Sequence, residues 1–204
     1  ANKAPGGYGL GGSAVIPPNN SIDDAKESGL YYCNPNFVGA PSGHTYIGYG
    51  TVLSMKRAYD SVIQVYWSEA SPNITGAPLN LVRRFDGTKW YPWEWINPPM
   101  GLGTEYRTTE RYLGKPVYVK VVDCGKCPGS EFKDIQFDTS GVALPIRCYG
   151  NWTYDGRSTI PFETTGSDRM VVGIIGRFIR ITTGGRNFSD RICTVTVYYT
   201  KTTD

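Results

Sequence analysis

Trp93-Glu-Trp-Ile-Asn-Pro-Pro-Met-Gly-Leu-Gly-Thr-Glu-Tyr-Arg-Thr-Thr-Glu-Arg-Tyr-Leu-Gly-Lys-Pro-Val-Tyr-Val-Lys120 decides how the chain is divided. Its first residues read as the end of a strand that Asn97-Pro98-Pro99 stops, because proline cannot donate to a β-ladder. Its last residues, from Lys115, read as the opening of a new strand. Between them, Glu105 to Tyr112 can alternate as a strand, but neither face is apolar. Such a segment cannot bury itself in an ordinary core. It either lies exposed or pairs its charges with neighbouring chains at a symmetry axis. The stretch therefore separates two halves, each large enough to build its own core.

Upstream of the junction, residues 1–20 are rich in glycine and proline and form an extended lead-in. Ser21 with Asp24 three places on reads as a helix N-cap, and Gly29 can close the helix in a left-handed conformation, which predicts a short helix over 22–28. Strands follow at 30–33, 50–56, 61–67 and 79–85. In the third of these, Ile63, Val65 and Trp67 share one side and Gln64 and Tyr66 the other. Asp86-Gly87 is a tight-turn signal, and 90–96 is the return strand of that hairpin. Downstream, strands are expected at 117–122, 142–149, 159–162, 171–175, 178–182 and 192–200. Pro145 marks an edge or a bulge, and Cys193, Val195, Val197 and Tyr199 point one way. The fold class is all-β, with one short helix near the N-terminus. The parts are a lead-in (1–20), a small β domain (21–100), a linker (101–114) and a β-sandwich (115–204).

Composition narrows the function. The chain has 204 residues, a net charge of +3 and scattered basic residues, which excludes the clustered charge of a nucleic-acid binder. No apolar run approaches the roughly 20 residues needed to span a bilayer, so no membrane insertion is expected. Five cysteines, at 33, 124, 127, 148 and 193, form no framework and fit a protein made in a reducing compartment. The start carries neither an apolar leader nor a methionine, so the chain is expected to be cut from a longer protein.

Chemistry-bearing patterns are sparse. Cys124-Gly-Lys-Cys127 is a lone CxxC, and zinc would need two more ligands; buried thiols are the plainer reading, and no metal or cofactor is expected. His44, the single histidine, sits in the turn-like Pro41-Ser-Gly-His, with no nucleophile elbow anywhere. Glu105 with Glu110, or Asp134 with Asp138, could supply a carboxylate pair, but nothing positions either for glycoside hydrolysis. No catalytic residue is assigned. Aromatics are the stronger signal. Tyr91, Trp93 and Trp95 share one strand face, which reads as core. Tyr149-Gly-Asn-Trp-Thr-Tyr-Asp-Gly-Arg157 reads as a turn-rich aromatic loop. There Trp152 and Tyr154 serve either the core or a ligand, and Asn151, Asp155 and Arg157 could bind hydroxyls beside the rings.

The order of these pieces resembles the knob domain of pyocin and phage tail fibres. The pieces are a short Asp-rich helix before Gly29-Leu-Tyr-Tyr32, then Gly50-Thr-Val-Leu53, Gln64-Val-Tyr-Trp67 and the hairpin from Arg83 to Trp95. The Gly114-Lys-Pro-Val-Tyr118 strand and the closing Val197-Tyr-Tyr-Thr-Lys-Thr-Thr-Asp204 resemble the terminal domain of the same proteins, and on that likeness Asp204 is expected to be the natural terminus. The resemblance implies a knob-like β domain before the sandwich, a homotrimer on a thin fibre, and a place in the virion tail beside other tail proteins. It also implies non-catalytic attachment to a bacterial surface polysaccharide or wall glycan. A structural spacer or baseplate module, and less readily a polysaccharide-cleaving enzyme, are the alternatives.

Overall fold

The computed structural model describes residues 13–44, 47–70, 79–138, 141–153, 159–162 and 169–204. The chain divides into two compact units, Ala1–Pro99 and Met100–Asp204. Both are built from strands, so the all-β expectation holds. Among the described residues, no helix is long and apolar enough to cross a membrane.

The first unit is a meander of β1 (Gly29–Cys33), β2 (Tyr49–Lys56), β3 (Val62–Ala70), β4 (Asn80–Phe85) and β5 (Glu94–Trp95), each antiparallel to the one before. The expected helix over 22–28 is absent. Residues 22–24 form a single turn, held by Asp24 N donating to Ser21 O and Ala25 N to Ile22 O. The only helical residues described in this unit lie in two 3-10 turns, Pro18–Asn20 and Ala58–Asp60. A helix would engage the carbonyls of 22–25 internally, but side chains from the sheet claim them instead. Gln64 Nε2 donates to Ile22 O at 2.9 Å and Ala25 O at 3.0 Å, and Ser54 Oγ to Ala25 O at 2.6 Å. Ile22 and Ala25 are buried beneath the turn.

That arrangement decides which face of β3 is the core. Val62, Gln64, Tyr66 and Ser68 are buried, whereas Ile63, Val65 and Trp67 are only half-buried. A buried amide is tolerated because its hydrogen-bonding groups are taken. Besides the turn carbonyls, Gln64 Oε1 accepts from Arg83 Nε at 2.8 Å, and Arg83 Nη1 pairs with Asp23 Oδ1 at 2.8 Å.

The hairpin after β4 turns at Asp86-Gly87, with Gly87 at φ +101°. Asp86 Oδ1 accepts from Thr88 N, Thr88 Oγ1 and Lys89 N at 2.7–3.0 Å, and these donors hold its carboxyl well below the usual carboxylate range. A depressed folded-state pKa contributes stability above the unfolded value, about pH 4, and loses it as pH falls through the folded one. Asp86→Ala is therefore expected to flatten the acid limb of the first unit's stability profile below about pH 4, measured by urea unfolding across pH.

The second unit contains β6 (Glu105–Tyr112), β7 (Lys115–Lys126), β8 (Phe132–Gln136), β9 (Val142–Thr153), β10 (Thr159–Pro161), β11 (Val171–Ile175), β12 (Phe178–Thr182) and β13 (Ile192–Lys201). Its larger sheet runs β6-β7-β13-β9-β10 and its smaller one β11-β12-β8. Cys193, Val195, Val197 and Tyr199 of β13 meet Ile179 and Ile181 of β12, Phe137, Met170 and Phe188 in one core. The inward alternation expected for β13 is what packs there. Pro145 sits beside a bulge, since Tyr198 pairs with Arg147 and Tyr199 with Pro145, leaving Ile146 as the extra residue. Leu144 is consequently exposed, because a one-residue slip sends the alternation to the other face.

Residues 105–112, read from the sequence as part of a linker, form a strand of this unit paired with β7. Tyr106 is fully buried, and Thr108 Oγ1 donates to Val117 O at 2.7 Å. The strand's second half, 109–112, is exposed, one of the two alternatives the sequence offered, and the strand's charges find partners within the chain. Glu105 accepts from Tyr199 and Lys201, Arg107 pairs with Asp204 at 2.6 Å, and Glu110 takes both Arg147 Nη groups at 2.6 and 2.7 Å.

Candidate functional site

Among the described residues, a pocketed site lies in the first unit, where the Arg83–Trp95 hairpin meets the segment before β2. The expected return strand over 90–96 is broken. Trp90 makes one bridge to Phe85, and regular pairing resumes only at Glu94 and Trp95, opposite Val82 and Leu81. Pro92, which has no N–H to donate, lies in the gap. Strict alternation would put Trp90 and Trp93 on opposite faces. Instead both rings meet one guanidinium, with Arg83 Cζ 4.0 Å from the Trp90 centroid and 4.4 Å from that of Trp93. Burial pulls the Arg83 pKa down to about 10, with the neighbouring Asp23 carboxylate acting in the other direction.

The same break turns Trp93 away from the expected core face. Trp95 is buried, but Trp93 is half-buried and forms a wall. A pocket of about 310 Å³ opens there, lined by Ala40, Pro41, Ser42, His44, Ile47, Leu81, Pro92, Trp93 and Trp95, within the usual range for small-ligand sites. Trp93 Nε1 donates to Gly39 O at 2.9 Å, which fixes the ring. His44 stands edge-on to Trp95, with centroids 5.3 Å apart, and burial lowers its pKa, so the imidazole is neutral at pH 7. The result is an uncharged cleft of aromatic and prolyl faces with a hydroxyl and an imidazole among its walls. It can hold an uncharged, ring-shaped group by stacking, with hydrogen bonds at its edge.

The residues singled out by sequence fall as follows. Asn151 and Trp152 lie on β9, not in a loop, since the strand continues to Thr153. Trp152 packs against the second unit's core, with Arg191 Cζ 3.9 Å from its ring centroid. Asn151 is opposite Thr194 and Pro161. Tyr154, Asp155 and Arg157 lie outside the described residues. Of the carboxylates, Glu105 is bound by Tyr199 and Lys201, Glu110 by Arg147 and Asp134 by both sides of the Arg180 fork at 2.6 and 2.7 Å. The arginine hydrogen bonds shift Glu110 and Asp134 down, whereas a general acid at neutral pH needs an upward shift. The pocket around Trp93 and His44 was missed in the sequence because its walls come from distant segments; Pro41-Ser-Gly-His44 and Pro92-Trp93 were the available signals.

No family model and no curated protein matches the chain. Solved structures do align with it. The chain is similar to the C-terminal regions of pyocin tail fibres. An N-truncated R2-type pyocin tail fibre aligns at 12% identity over 92% of this chain and 99% of that one, with a TM-score of 0.31. The C-terminal part of a P. aeruginosa R1 pyocin fibre aligns at 11% identity over 88% of this chain and 64% of that one, with a TM-score of 0.27. A P. aeruginosa R2 pyocin fibre gives 10% identity, 93% and 69% coverage and a TM-score of 0.28.

Proposed function

We propose that the chain is a passive receptor-binding tip of a virion tail fibre, and that it attaches the particle to a glycan on the bacterial surface. The observation that carries this reading is the uncharged cleft walled by Trp93, Trp95, Pro92 and His44. A sugar ring presents an apolar C–H face that stacks on tryptophan, and its hydroxyls find His44 and Ser42. The order of sequence motifs from Gly29 to Trp95 supports the tail-fibre setting. The arginine pairing of Glu110 and Asp134 supports binding without hydrolysis. A homotrimer among other tail proteins is part of the proposal, because one shallow sugar site binds at about millimolar strength, near 4 kcal/mol. Linking such sites raises apparent affinity by roughly 10²–10⁴-fold with no new contact.

The test is a titration of the purified chain against a panel of bacterial surface polysaccharides, with oligomer mass measured in parallel. Trp93→Ala is expected to weaken binding at least about tenfold, a loss of roughly 1.4 kcal/mol per site, while leaving the fold intact. The second candidate contact, Asn151, Trp152, Tyr154, Asp155 and Arg157, is tested by Tyr154→Ala in the same titration. A trimer that binds no polysaccharide would support the spacer reading instead, and binding indifferent to both substitutions would move the contact away from both candidate sites. Shortening of the polysaccharide during incubation would make the chain an enzyme.

A further inference from the structure

Three of the five cysteines converge in the core of the second unit. Cys193 on β13 pairs with Gly125 on β7, and Thr194 pairs with Asp123, so Cys124 is the extra residue of a bulge. Residues directly opposite in an antiparallel pair point to the same face, and the bulge turns Cys124 onto the face that Cys193 occupies. Cys127 follows the end of β7, where its N–H donates to Arg191 O at 2.8 Å. The three residues are 3%, 3% and 1% exposed and pack in one buried cluster, where the Cys193 thiol donates to Gly125 O at 3.5 Å. Lys133 Nζ holds the segment from outside, donating to Cys124 O and Lys126 O at 2.7 Å each. All three cysteines are thiols in this structure.

Two ordinary explanations fit poorly. Buried thiols usually serve as small hydrophobes scattered through a core, which does not account for three gathered at one end of the β7–β13 pair. A metal would also gather thiols, but among the described residues no group of three or more His, Cys, Asp or Glu side chains is arranged to hold one. Cysteines that neighbour one another across an antiparallel pair have the Cα separation that a disulfide requires.

We propose that Cys193 is the shared partner of an oxidative crosslink, formed with one thiol of the Cys124/Cys127 pair when the protein meets a peroxide. The first attacker is Cys124. Lys133 Nζ donates to the Cys124 carbonyl and so sets an ammonium beside this cysteine, which favours its thiolate. The Cys124 thiolate attacks one oxygen of hydrogen peroxide. The O–O bond breaks, and the departing hydroxide takes up a proton to become water, leaving a sulfenic acid on Cys124. Cys193 sulfur then attacks that sulfur. The S–S bond forms, the S–O bond breaks, and the leaving hydroxide carries off the Cys193 proton as a second water. Two thiols have lost two electrons and the peroxide has gained them. Cys127, held beside the start of β13 by its N–H bond to Arg191 O, can displace Cys124 from the disulfide, so either crosslink retains Cys193. Peroxide is small enough to reach a buried thiol, and a particle leaving a reducing cell interior meets oxidants outside. The crosslink stands whether or not the chain binds a glycan.

The experiment treats the reduced, folded full chain with hydrogen peroxide, alkylates it in denaturant, and maps the cysteines by mass spectrometry. Two of the five cysteines are expected to escape alkylation, in a peptide joining Cys193 to Cys124 or Cys127. The same map is expected for Cys148→Ser, whose thiol faces Val172 O instead. Cys193→Ser is expected to yield no crosslink, and the wild-type map decides the matter even if that variant fails to fold. Five alkylatable cysteines after treatment, oxidation without a disulfide, or a crosslink that omits Cys193 would each overturn the proposal.

Discussion

Arg83→Ala is expected to lower the stability of the first unit by about 3 kcal/mol, the low end of the range for removing one partner of a buried ion pair. The guanidinium is 4% exposed, against 36% for the Asp23 side chain, so water recovers part of what Asp23 loses. Gln64 Oε1 has no such relief, because Gln64 is fully buried and its acceptor would face an apolar void. Trp90 and Trp93 would also lose the cation that both rings face. Arg83→Lys is expected to recover only part of the loss, since an ammonium cannot present a planar fork between two indoles while reaching both Asp23 and Gln64. Urea unfolding followed by tryptophan fluorescence checks this, because Trp67, Trp90, Trp93 and Trp95 of the five tryptophans belong to this unit. A stable Arg83→Ala chain would mean that the turn at 22–25 is held by Gln64 and Ser54 alone. The pocket depends on the same residue through Trp93, so weaker ligand binding is expected even in the fraction that stays folded.

Gly50→Ala is expected to cost the first unit a similar amount, about 3 kcal/mol, through overpacking at a site that cannot relax. A Cβ on Gly50 would lie 2.1 Å from Trp67 O and 2.7 Å from the Tyr66 ring. The oxygen belongs to the neighbouring strand's backbone, so no rotamer change removes the clash. Gly50 borders the bulge that shifts the β2–β3 register, and Tyr66 Oη donates to Gly48 O at 2.7 Å just beyond it. The substitution therefore strikes the point where β2 emerges from the segment that builds the pocket. The same denaturation measurement reads it, and Gly43→Ala is a comparison in open space, although its φ of +84° brings a smaller strain of its own.

Much of this fold was legible in the residues. The alternation of Cys193, Val195, Val197 and Tyr199 identified the inner face of β13, and Asp86-Gly87 placed the hairpin. The failures share a physical cause, polar groups satisfied at long range. Ser21 and Asp24 carried a helix-start pattern, but the carbonyls that a helix needs are taken by Gln64 and Ser54, two strands away. For the same reason the face of β3 bearing a glutamine is buried more deeply than the face bearing isoleucine and valine. Glu105 to Tyr112 looked unburiable because its partners, Tyr199, Lys201, Asp204 and Arg147, come much later in the chain. Trp93 and Trp95 were read as a core pair, which holds for Trp95. Trp93 became a pocket wall because Pro92 broke the alternation that would have carried it inward. The convergence of Cys193 on the CxxC pair needed the β7–β13 register and its bulge, neither of which has a sequence signature.

The strand order also bears on when each half can form during synthesis. In the first unit every strand pairs with the one translated just before it, so its sheet can close once Trp95 has left the ribosome. The second unit cannot proceed in that way, because β13 lies between β7 and β9. Until Ile192–Lys201 is made, both of those strands lack their central neighbour and the core lacks Val195 and Val197. A nascent chain therefore carries a finished N-terminal half beside a C-terminal half with open, aggregation-prone edges. Ribosome-bound intermediates stalled before residue 192 should show protease resistance in the first half only.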